Sequence, residues 1–161
     1  MSLSSHQRDT VVGINDEWLT PPEIVDAVGP FDLDPCAPIN RPWDTAAHHY
    51  TLVDDGLSQP WFGRVWLNPP FGRKEPEKWI KRMVEHNCGT LLFPARTETR
   101  LFQDFIFPFA TEIFFLKGRP HFHYLDGSRA KFNSGAPICL VGYGGSIENR
   151  GLEGALTEIK T

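Results

Sequence analysis

Residues 65–71 read VWLNPPF, an apolar run closed by an asparagine, two prolines and an aromatic ring. RVWLN, 64–68, reads as a short strand. It must stop at Pro69, because a proline has no backbone N–H and also restricts the residue before it. The stretch holds no strong nucleophile and no base. What it offers is two acceptors and a flat ring: the Asn68 side-chain carbonyl, the Pro69 backbone carbonyl and Phe71. Two acceptors match the two hydrogens of a planar NH2 group, and the ring can stack on the heterocycle bearing it, worth roughly 1–3 kcal/mol for a nucleobase. The plainer alternative is a turn stiffened by prolines.

Working outward, FDLDP (31–35), HHYTLV (48–53), GTLLFPA (89–95), EIFFLKG (112–118) and ICLVGY (138–143) read as further strands. Helices are predicted after Thr20-Pro21-Pro22, with Thr20 near the cap and Gly29-Pro30 as the stop, and over EPEKWIKRMVEHN (75–87). In the latter, Trp79, Ile80, Met83 and Val84 form one stripe. Residues 98–109 suggest a short aromatic helix. Strands alternating with helices predict an α/β fold with a mostly parallel central sheet covered on both faces. Ligands of such sheets sit beyond the carboxyl ends of the strands, where Asp34 and Asn68 fall.

A chain of 161 residues, 40% hydrophobic and 22% charged, suits one globular domain. A net charge of −4 gives no global basic signal, so any nucleic-acid contact must use a local patch. Cys36, Cys88 and Cys139 are far apart and in no CxxC spacing, which argues against a disulfide scaffold or zinc knuckle and points to a cytoplasmic setting. His121 and His123 lack a completing ligand set, and no metal is expected.

Two more stretches fall at the same rim. In DLDPCA (32–37) an acidic side chain at a strand end can accept from a ligand's ammonium or hydroxyl groups. No GxGxxG follows, so a pyrophosphate-bearing cofactor is poorly supported, whereas one without phosphate would not need those glycines. In DDGL (54–57) a carboxylate is available to an adenine amino group or ribose hydroxyls. Both stretches also read as simple turns. Taken with NPPF, they point to a particular chemistry. An exocyclic amine is a poor nucleophile because its lone pair is conjugated with the ring. Paired acceptors stabilise the positive charge that develops as it attacks an electrophilic methyl. The methylated cation is acidic, so a Ser-His-Asp or Cys-His set is not required.

The layout resembles the phage-type DNA N6-adenine methyltransferases, the Dam family. DEWLTPP (16–22), FDLDPCA (31–37), DDGL (54–57), WLNPPF (66–71), LLFPARTET (91–99) and FFLKGRPHF (114–122) occur in order, over about residues 15–144. The resemblance implies a Rossmann-like class I methyltransferase fold and S-adenosylmethionine as cofactor. It implies Asn68, Pro69, Pro70 and Phe71 as the catalytic tetrad, with phenylalanine where tyrosine is frequent. Trp18, Thr20 and Pro21 would line the cofactor pocket, the last two at its methionine end. Asp34, Pro35, Cys36 and Ala37 would form the first cofactor loop, with Pro38 where many related enzymes carry glycine. Asp54 or Asp55 would lie near the cofactor's adenine.

On the DNA side, Arg96, Arg100, Arg119, His121, Phe122 and Lys131 are the candidates to meet a target adenine flipped from its stack. Residues 1–14 are expected as a flexible lead-in, 15–144 as the methyltransferase domain and 145–161 as a C-terminal extension. The absence of a long insertion limits how much sequence a monomer can read and suggests a homodimer or loose specificity. The resemblance also implies a phage or prophage origin, with restriction protection among the possible roles. Methylation of cytosine N4 or of a protein glutamine amide, and a non-catalytic nucleic-acid-binding module, are the competing readings.

Overall fold

The computed structural model describes residues 18–70 and 75–159. The lead-in expected over residues 1–14 lies outside them, as does Phe71. Two helices, α1 (Pro22–Val28) and α2 (Pro76–His86), and seven strands make up the described fold. The strands are β1 (Leu33–Asp34), β2 (His48–His49), β3 (Val65–Leu67), β4 (Gly89–Pro94), β5 (Glu112–Leu116), β6 (Ile138–Tyr143) and β7 (Gly154–Glu158).

They form one sheet in the order β2-β1-β3-β4-β6-β5-β7. The sheet is mixed, not mostly parallel. β1 pairs in parallel with β2 and β3, and β3 with β4, but β6 opposes β4 and β5, and β7 opposes β5. The antiparallel ladders are the longer, with six, four and five paired residues against two, one and three. The reason lies in the connections. The chain between β5 and β6, and between β6 and β7, contains no helix, so nothing carries it over a face to re-enter in parallel. β6 therefore returns into the gap between β4 and β5. β7, drawn from the segment expected as an extension, adds an edge strand whose five residues are all exposed.

β3 is buried on both faces, with Val65, Trp66 and Leu67 each no more than 1% exposed. Val65 and Leu67 join Ile80 and Met83 of α2 and Phe102 and Ile106 in one core cluster. Trp66 joins Ile24, Val25 and Val28 of α1, with Leu92 and Leu140, in the other. The predicted stripe of α2 is the side that packs: Ile80 and Met83 are buried, and Trp79 and Val84 lie partly buried against the same cluster. The aromatic helix expected over 98–109 is a π-helical turn, Phe102–Ile106, in which the Phe107 N–H reaches back to the Phe102 carbonyl at 3.0 Å. The Tyr143 hydroxyl donates to the Phe105 carbonyl at 3.0 Å and ties that turn to β6.

Candidate active site

β1 and β3 are parallel neighbours, with Leu33 level with Val65, so their carboxyl ends emerge side by side. Asp34 ends one and Asn68 follows the other. Each is held by a threonine distant in sequence.

Asn68 is half-buried, and Pro69 behind it is buried. The Asn68 Nδ2 donates to Thr20 Oγ1 at 3.0 Å. Among the described residues, nothing donates to its Oδ1 or to the Pro69 carbonyl at the end of β3. Thr20 is only 3% exposed. The sequence suggests it as the cap of α1, but that helix starts from Pro21 without a side-chain cap, which leaves the Thr20 hydroxyl to Asn68. Leu19 exchanges both backbone bonds with His123, at 2.9 Å each, and the Trp18 ring lies 5.4 Å from that of Tyr124. Pro21 is buried.

Asp34 is 4% exposed. Its carboxylate accepts the Cys36 N–H at 3.1 Å and the Thr45 hydroxyl at 2.5 Å, and it has no ion-pair partner among the described residues. Burial pushes its pKa up to about 6, against the opposing pull of the Thr45 and Cys36 hydrogen bonds and the charge of Arg41. Thr45 is itself placed by β2: its N–H donates to His49 Nε2 at 3.2 Å, which leaves the His49 proton on Nδ1. Asp32, by contrast, turns outward and accepts the Arg64 N–H at 2.7 Å, a turn-forming role.

The loop after Asp34 is braced on two more sides. The Ala37 N–H donates to the Tyr50 carbonyl at 2.9 Å. A Cβ built on Gly56 would lie 2.0 Å from the Pro35 carbonyl oxygen, so the DDGL turn and the DLDPCA loop press backbone on backbone. Of the two aspartates there, Asp54 closes its own turn by accepting from the Thr51 N–H (2.8 Å) and hydroxyl (3.3 Å). The Asp55 carboxylate makes no such bond among the described residues, and the residue takes a left-handed backbone, φ 55°.

The residues expected on the substrate side occupy varied settings. Arg96 is exposed just past β4. Arg100 is engaged by Glu77 of α2 and by Asp104 at 3.7 Å. Arg119, His121, Phe122 and Lys131 lie on the loop joining β5 to β6, which folds on itself through Ala130 N–H to Phe122 C=O and Tyr124 N–H to Ser128 C=O bonds, both 2.8 Å. Arg119 reaches the Gly135 carbonyl at 3.4 Å, and His121 Nδ1 bonds the Ala130 carbonyl at 2.9 Å. The Lys131 Nζ lies 5.6 Å over the Phe132 ring. Phe122 is 5% exposed and packs in the α1-side core, where it anchors the loop. A separate open groove of about 450 Å³, lined by Ile39, Asn40, Arg41, Pro42, Asp44 and Leu125, contains none of the expected site residues.

Sequence reasoning missed Thr45, Tyr50 and the packing role of Gly56. Thr45 stands in an irregular stretch with no period to mark it, and only the DG pair of the turn hinted at a close approach.

A family model described as DNA N-6-adenine-methyltransferase (Dam) matches residues 7–141 of the chain. No curated protein and no solved structure shows a match.

Proposed function

This chain belongs to the DNA N-6-adenine-methyltransferase (Dam) family and is a DNA adenine N6-methyltransferase, and from that premise we propose that the ends of β1 and β3 form its active site. In this reading the fold is a Rossmann-like class I methyltransferase domain spanning residues 15–144, extended by 145–161. Support comes from strand direction: β1 to β5 run the same way, and the chain turns to either side of β1, toward β2 and then toward β3, which makes β1 a topological switch point of the kind beside which such sheets take ligands.

The donor we assign is S-adenosylmethionine. The fit rests on Asp34: a buried carboxylate that makes no ion pair among the described residues suits a cationic cofactor, and its loop lacks the glycines a pyrophosphate needs. Pro35, Cys36 and Ala37 would shape the wall beside it, Trp18, Thr20 and Pro21 the methionine end, and Asp55, more than the self-bonded Asp54, the adenine end. Bound there, S-adenosylmethionine supplies an electrophilic sulfonium methyl.

The chain's own residues then act on the amine. Asn68 Oδ1 and the Pro69 carbonyl accept its two hydrogens and orient the nitrogen lone pair toward the methyl. Charge that grows on nitrogen during the attack strengthens both bonds, which lowers the barrier more than it tightens substrate binding. Pro70 stiffens the turn, and Phe71 would stack on the flipped adenine. The nitrogen loses a proton to solvent once the N–C bond has formed. Arg96, Arg119, His121 and Lys131, with Phe122 holding their loop, form the DNA-facing side; Arg100 takes part only by leaving Glu77. A homodimer would widen a footprint that one small domain keeps short, and a bacterial cytoplasm with phage or prophage origin is the assigned setting.

The single observation that carries the proposal is the half-buried Asn68 with its NH2 anchored on Thr20 and, among the described residues, no donor to its carbonyl or to that of Pro69. Incubation with DNA and S-adenosylmethionine, followed by nucleoside mass spectrometry, should yield N6-methyladenine. N4-methylcytosine, or no modified nucleoside, would overturn it.

A further inference from the structure

We propose that Thr20 is a positioning residue for methyl transfer, its hydroxyl accepting the Asn68 amide N–H so that the amide's carbonyl end faces the target amine. The inference deepens the function proposed above and depends on it.

An asparagine amide is nearly symmetrical in shape but opposite in chemistry at its two ends. Turned by 180°, the same side chain would set NH2 against the target NH2, donor against donor, with nothing to stabilise charge on nitrogen. Shape alone does not choose between the two. Thr20 Oγ1 lies 3.0 Å from Nδ2. A hydroxyl can accept or donate by turning its proton, yet with an amine beyond the amide only one arrangement pairs donor with acceptor on both sides, and it requires an acceptor at Thr20. Thr20 is 3% exposed, so water is a poor substitute.

Its own position is over-determined. Leu19 is clamped by two 2.9 Å backbone bonds to His123, Pro21 and Pro22 restrict the chain after it, and the Ile24 N–H closes on the Pro21 carbonyl at 3.0 Å. The substrate-side loop that bears His123 and the Asn68 amide are thus joined through two consecutive residues.

Thr20→Val keeps the shape and removes the hydroxyl. It should lower kcat about tenfold to a hundredfold, the effect of leaving one buried polar partner unmatched, while the donor Kd from calorimetry moves by a smaller factor, since valine keeps the wall that Thr20 lends the donor pocket. Thr20→Ser should recover most of the loss. On an Asn68→Ala background, Thr20→Val should have little further effect on kcat, since the amide it orients is gone. Thermal melts check folding, and Thr20→Ala replaces the valine variant if that one is unfolded. The inference is overturned if loss of the hydroxyl leaves kcat unchanged, if it weakens donor binding in place of kcat, if serine fails to rescue, or if the two losses multiply in full. Failure of the underlying function would show separately, as Asn68→Ala retaining turnover or as unmodified protein giving no N6-methyladenine.

Discussion

Asp34 shows how one buried carboxyl makes folding depend on pH. Burial lifts its pKa from an ordinary 3.8 to about 6. Below 3.8 the group is protonated in both folded and unfolded chains and contributes no pH dependence. Between 3.8 and 6 the unfolded chain releases the proton and the folded chain keeps it, so stability falls as pH rises. Above about 6 the full penalty, on the order of 3 kcal/mol, is present. Urea melts at about pH 4 and about pH 7 should show Asp34→Asn gaining on the unmodified protein by up to about that amount at the higher pH. Equal differences at both values would mean the carboxyl titrates normally. A cationic donor favours the ionised form, so its affinity should strengthen as pH rises through about 6 and lose that dependence in Asp34→Asn. Calorimetry across the range measures both. Asn68, at the neighbouring strand end, does not titrate; in the proposed reaction its contribution lies in orientation, for which Thr20 is the partner.

At the level of elements, the proposed site is two short strand ends gripped by loops. β1 is only two residues long and makes few ladder bonds, so the loop after it depends on outside supports: Thr45, Tyr50 and Gly56. Gly56 is the most exacting, because any side chain there meets the Pro35 carbonyl oxygen at 2.0 Å. Gly56→Ala should force the DDGL turn away from the DLDPCA loop, at about 1–3 kcal/mol, or roughly 3–10 °C in Tm, with weaker donor binding if that loop holds the donor as proposed. Gly145→Ala is the matched control, since a Cβ there meets nothing within 4 Å. Thermal melts of the two variants decide the point: equal shifts would remove the close-approach argument. Helix α2 was legible because its stripe repeats with the helical period. The π-helical turn, tied to β6 by the Tyr143 hydroxyl, was not, since no local period distinguishes it from an ordinary helical turn.

Across the whole molecule, a net charge of −4 must be reconciled with a polyanionic substrate. The loop between β5 and β6 supplies Arg119, Arg129 and Lys131, all exposed, on a segment pinned to Leu19 at one point and to the core by Phe122. Joint replacement of Arg119 and Lys131 by alanine should raise KM for DNA and reduce the salt dependence of binding by up to about two in log–log slope, about one for each phosphate the protein no longer neutralises. Fluorescence titrations at several salt concentrations would show it. An unchanged slope would remove this loop from the DNA interface. The same loop explains why the sheet departs from expectation: lacking a helix, it brings β6 back antiparallel between β4 and β5.

Local signals alone determined the strand that ends in NPPF, the carboxylate at the end of β1, the stripe of α2 and the family resemblance, because proline, burial period and motif spacing act over a few residues. Only the tertiary structure decided the strand order, the mixed direction of the sheet, and the two threonines that hold the proposed site, Thr20 on Asn68 across 48 residues and Thr45 on Asp34 across 11. Such pairings carry no periodicity. They arise where the packed sheet brings separate loops to one rim, and burial there leaves each polar group to be satisfied by whichever partner the fold delivers.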